Sequence, residues 1–66
     1  MSVHYNKLLR ILEDKKLTTN EILSRAGISA NILTRIKRNE YISLESIEKL
    51  CFALDCGVDD LLDFEE

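Results

Sequence analysis

The stretch TTNEILSRAGISANILTRIK, residues 18–37, reads as two helices joined by a tight turn. Thr18, with Glu21 three residues on, has the form of a capping box. In that motif a hydroxyl and a carboxylate each serve a backbone N–H that the first helical turn leaves unpaired. Ile22, Leu23 and Ala26 then recur on one face. Gly27 stops the helix, because glycine enters the left-handed region without a Cβ clash. Ile28 is placed to plug the core at the turn, and Ser29 to cap the next helix. That helix runs to about Arg38 with Leu33 and Ile36 inward. Asn39, which tolerates the left-handed region, ends it.

The flanking sequence supplies more helices. From about Val3 to Lys15, Tyr5, Leu8, Leu9 and Leu12 follow the spacing of one buried face, with Ser2 as the expected N-cap. Ser43 caps a fourth helix that presents Ile47, Leu50, Cys51 and Leu54 at the same spacing. Gly57 is expected to close the turn after it. A short fifth helix is predicted from about Asp60 to Phe64, with Asp59 as cap and Leu61, Leu62 and Phe64 to bury. No repeat or linker interrupts the chain. The expectation is an all-α fold, a compact five-helix bundle forming one domain over residues 1–66.

The 66 residues contain no proline and two glycines, which favours helices over a turn-rich β-fold. At 45% hydrophobic and 32% charged, the chain has the balance of a folded protein and not of a disordered one. No apolar run reaches the length of a membrane span, and no secretory signal is recognisable. Cys51 and Cys56 have neither metal-knuckle nor redox-pair spacing. Cys51 lies on the apolar stripe, which points to a buried thiol in a reducing cytoplasm. His4 has no cysteine or second histidine at ligand spacing. The Asp59, Asp60, Asp63 group lacks the glycine and terminal glutamate of a calcium loop. No metal, cofactor or small-molecule ligand is therefore expected. Nor is an enzyme, because no nucleophile–base pair or phosphate-cradling glycine loop is present.

Charge is distributed unevenly. The net value is −3, but residues 55–66 carry six acids and no base. Without them, nine basic groups face six acidic ones, a balance of +3 for residues 1–54. The local field at a contact surface matters more than the total, so the acidic end is expected to point away from a polyanion. The outer face of the helix after Gly27 carries Ser29, Ala30, Asn31, Thr34, Arg35 and Arg38. Arg35 suits the O6/N7 edge of guanine and Asn31 the N6/N7 edge of adenine. Ala30 or the Thr34 methyl suits a thymine methyl. Thr18, Thr19 and Asn20 lie at a helix N-terminus, where phosphates bind. Lys37, Arg38 and Asn39 lie at the opposite rim.

Together with the tail CFALDCGVDDLL, residues 51–62, the stretch GISANILTRIKRNEYISLESIEKL resembles the Cro/CI-type (XRE-like) helix-turn-helix domain of phage repressors and bacterial regulators. The resemblance covers nearly the whole chain. It implies a lambda-repressor-like five-helix fold, major-groove binding by the third helix, and transcriptional control as a homodimer on two half-sites of double-stranded DNA. It places base reading on Ser29, Ala30, Asn31, Thr34 and Arg35, and phosphate contact on Thr19, Lys37, Arg38 and Asn39. Asn39 stands where the family often has glycine. The residues alone also allow a solvated helix face for Arg35, Lys37 and Arg38. A protein-interaction module on the same fold, such as an antitoxin-like partner, is the alternative that the net negative charge favours.

Overall fold

The two helix starts read from Thr18 and Ser43 are both present in the computed structural model, which describes residues 2–65. The elements are β1 (Ser2–His4), α1 (Asn6–Asp14), α2 (Thr19–Ala26), α3 (Ala30–Lys37), α4 (Leu44–Leu54), a 3-10 turn (Val58–Asp60) and β2 (Asp63–Glu65). Met1 and Glu66, the latter counted above in the acidic run, lie outside the described residues. The Thr18 hydroxyl accepts from the Glu21 N–H at 3.1 Å, and the Glu21 carboxylate accepts from the Thr18 N–H at 3.1 Å. Ser43 Oγ accepts from the Ser46 N–H at 3.2 Å, and the two serine hydroxyls lie 2.9 Å apart.

Gly27 ends α2 in the left-handed region at φ +68. A Cβ added there would meet nothing within 4 Å, so the backbone dihedral alone selects glycine. Asn39 ends α3 at φ +57, as its tolerance of that region predicts. Lys16 and Asp55 do the same after α1 and α4, at φ +56 and +52.

The bundle is not five helices. Among the described residues there are four α-helices, a 3-10 turn and a two-stranded antiparallel sheet with Val3 opposite Phe64. The expected fifth helix gives way to a strand that pairs with β1, leaving one 3-10 turn before it. The Asp60 carboxylate accepts from the Gly57 N–H at 3.1 Å, which closes a single tight turn over Val58–Asp60. The chain then extends into β2. Gly57, expected to close the turn after α4, is extended at φ −93, and Asp55 in the left-handed region closes it instead. Ser2 is a strand residue and not a cap, so α1 starts at Asn6 and not near Val3. Its early donors find tertiary partners instead: the Leu8 N–H donates to the Leu61 carbonyl at 3.0 Å.

Six side chains are almost fully buried, one from each α-helix (Leu8, Ile22, Ile36 and Leu50) and two from the segments between elements (Tyr5 and Leu61). Ile28 is buried at the turn between α2 and α3. Three burial expectations need correction. Leu9 is 37% exposed, and Ile11 packs against the core in its place. Phe64 is 62% exposed, because β2 replaces the helix that would have turned it inward. Cys51 is half-buried, not buried. Burial pushes both the Cys51 and Cys56 thiols up, reinforced at Cys51 by Asp60 and Asp59 and at Cys56 by the neighbouring Cys51. No helix among the described residues is long and apolar enough to cross a membrane.

Glu21 provides a pH-dependent test of the α2 start. Its carboxyl is held below the usual 4.5, first by the backbone hydrogen bond at Thr18 and then by the Thr18 hydroxyl. A lowered folded-state pKa contributes stability above the unfolded value and loses it as pH falls through the folded one. Glu21→Ala is expected to destabilise most at neutral pH and progressively less below the ordinary glutamate range. Thr18→Ala should cost about 1 kcal/mol. Denaturant melts of both variants across pH check these outcomes; a pH-independent Glu21→Ala effect would contradict them.

Candidate nucleic-acid interface

α3 places its apolar and polar residues on opposite sides. Leu33 and Ile36 are buried, while Asn31, Thr34, Arg35 and Arg38 are exposed. Their spacing of three, one and three residues makes them one helical face. They line a shallow concavity of about 340 Å³ together with Glu40. The Thr34 hydroxyl donates to the Ala30 carbonyl at 3.1 Å, which fixes its side chain against the helix.

The remaining residues singled out from the sequence lie on α2 and α3 and at their ends. Ser29 has the extended backbone of an N-cap, φ −84 and ψ 161, but its side chain makes no cap hydrogen bond. Its expected capping role is therefore not filled, and its hydroxyl remains available. Ala30 opens α3 and is exposed. Thr18 spends its N–H and one hydroxyl lone pair on Glu21, which leaves the hydroxyl proton free to donate. Thr19 and Asn20 occupy the first turn of α2, where backbone N–H groups lack helical acceptors. Lys37 and Arg38 are exposed at the far end of α3.

Asn39 has an internal task as well. Its Oδ1 accepts from the Tyr5 N–H at 3.4 Å, and the Tyr5 hydroxyl donates to the Glu40 carbonyl at 2.6 Å. Tyr5 is 1% exposed, and burial, then Tyr41 nearby, pushes its phenol up, so it stays a proton donor. One buried side chain thereby fixes the turn that follows α3. Helical spacing places Tyr5 on the buried face of the first helix, and nothing in that pattern marks either Tyr5 or Glu40 for the interface.

Electrostatically, the acidic end is engaged elsewhere. Asp55, Asp59 and Asp60 line a cleft of about 580 Å³ with Lys7, Arg10 and Lys15 of the α1 side. Lys7 Nζ donates to the Asp59 carbonyl at 3.1 Å and lies 4.0 Å from the Asp63 carboxylate. Among the described residues, the ion pairs are Lys7–Asp63 and Lys49–Glu45, and His4 Nε2 lies 2.7 Å from the Glu65 carboxylate; none is on α3. Arg35, Lys37 and Arg38 thus make no ion pair within 4.0 Å among the described residues. No group of three or more His, Cys, Asp or Glu among those residues is arranged to hold a metal ion.

Residues 7–66 match the profile of the Cro/C1-type helix-turn-helix DNA-binding domain. The chain belongs to this family. Among solved structures, the Cro/C1-type domain described here is similar to the crystal structure of the transcriptional regulator VanUg, form II. The TM-score is 0.90 at 29% identity, covering 98% of this chain and 88% of that one. No curated protein matches the sequence.

The Tyr5 tie can be tested alone. Tyr5→Phe keeps the ring and deletes the donor, so it should cost about 1 kcal/mol. Amide exchange should also quicken at Asn39 and Glu40, measured by NMR. An unchanged exchange rate there would show that the tie does not hold the turn.

Proposed function

We propose that this Cro/C1-type domain is a sequence-specific transcriptional regulator, of repressor type, that reads the DNA major groove with α3. The observation that carries this reading is the single exposed face on which Asn31, Thr34, Arg35 and Arg38 converge. Arg35 is assigned to guanine and Asn31 to adenine, with the methyl of Thr34 or Ala30 against thymine. Ser29 completes the base-reading set. Thr19 and Asn20, with the Thr18 hydroxyl, are assigned to phosphate at the N-terminus of α2, and Lys37, Arg38 and the Asn39 amide at the rim of α3. One such domain covers one half-site, so the working unit is a cytoplasmic homodimer on two half-sites roughly 34 Å apart.

Selection from random duplex DNA, followed by salt-dependent affinity measurement, tests the assignment. The selected site should be a palindrome. Arg35→Ala should relax preference at one base pair of each half-site, at about 1–3 kcal/mol. Lys37→Ala should weaken binding to all sequences alike and lower the salt slope by about 1. Equal effects of both variants on every sequence would refute the base-reading role of Arg35. The net charge of −3 favours a second reading, a protein-interaction module on the same fold. Absence of duplex binding at low salt and micromolar protein would support that one instead.

A further inference from the structure

All four α-helices end in the same way. A residue in the left-handed region follows the last turn, and the next residue folds its N–H back onto a carbonyl five positions earlier. Leu17 donates to Leu12 at 2.9 Å, Ile28 to Leu23 at 3.2 Å, Glu40 to Arg35 at 2.9 Å and Cys56 to Cys51 at 3.1 Å. This motif places the side chain of the returning residue against the helix it has just left, which is why the position is usually apolar. Three of the four obey: Ile28 is buried in the core, and Leu17 and Cys56 pack against it. The fourth is Glu40, exposed and charged.

The backbone of Glu40 is held at both of its polar groups. Its N–H is bonded to Arg35 and its carbonyl to the buried Tyr5 hydroxyl at 2.6 Å. Glu40 lines the α3 concavity with Asn31, Thr34, Arg35 and Arg38, yet it makes no ion pair with either arginine within 4.0 Å among the described residues. The local rule is broken at a position whose geometry is fixed from behind, which is where functional residues are expected.

Resting on the DNA-reading role of α3, we propose that Glu40 is a specificity-determining residue that accepts a hydrogen bond from an exocyclic amino group in the major groove. A carboxylate is acceptor-only, and phosphates repel it. The donors that base pairs offer on that side are the N4 amino group of cytosine and the N6 amino group of adenine. Glu40 therefore favours a base pair that places one of these within its reach, and it disfavours non-specific contact with the phosphate backbone.

The test compares base profiles of wild type, Glu40→Gln and Glu40→Leu by selection from random duplex DNA, with thermal melts of each. Glu40→Leu restores the apolar residue that the motif prefers, so it should melt at or above the wild-type temperature. It should also lose preference for cytosine or adenine at one position, by about 5- to 150-fold. Glu40→Gln keeps an acceptor but adds a donor, so it should broaden that same position to bases with acceptors. A uniform rise in affinity on all duplexes, with the base profile unchanged, would overturn this role and leave the reading of DNA by α3 intact. Failure of wild type and both variants to bind any duplex would overturn the α3 reading and this inference with it.

Discussion

A helix cannot be followed at once by a second helix in a new direction unless one residue leaves the right-handed region. In this chain that constraint is met at Gly27, at φ +68. The turn costs little there because no Cβ is present, and it delivers Ile28 into the core at once. Everything about α3 depends on the reversal. With Ile28 fixed, Leu33 and Ile36 are directed inward and Asn31, Thr34, Arg35 and Arg38 outward. The same device, repeated at Lys16, Asn39 and Asp55, lets four short α-helices share one core without long loops.

The reversal sets the direction of α3, and the turn at its other end is tied from below. Tyr5 precedes α1, far from α3 in sequence, but its N–H reaches Asn39 and its hydroxyl reaches Glu40. A hydrogen bond of this kind contributes on the order of 1 kcal/mol. Its larger consequence is positional, because it fixes the backbone at the edge of the proposed contact face. The acidic tail plays a complementary part. By pairing β2 with β1, it places acids beside α1, where Lys7 is engaged, and leaves the arginines of α3 outside any described ion pair. A chain of net charge −3 thus keeps a locally basic face.

Most of α2, α3 and α4 was legible because their signals are local. Thr18 and Glu21, Ser43, and the left-handed tolerance of Gly27 and Asn39 each act within a few residues. The ends of the chain were not legible for the opposite reason. Strands of three residues are too short to show alternation, and Ser2–His4 and Asp63–Glu65 pair only through the tertiary fold. Asp59 and Asp60 looked like the start of a helix, since acids suit a first turn. They serve a 3-10 turn instead. Ser29 was legible as a cap by backbone but not by side chain. Glu40 escaped notice because its interest lies in contrast with Leu17, Ile28 and Cys56, which becomes visible once the four helix ends are compared in space.

The claim that α3 is the DNA-reading surface is most directly tested by mapping backbone amide shifts of the labelled protein on titration with its selected duplex. The account predicts that the largest shifts fall on residues 29–40 and the first turn of α2, with residues 55–65 little affected. Shifts concentrated on the acidic segment or on the α1 cleft, with α3 unmoved, would contradict it.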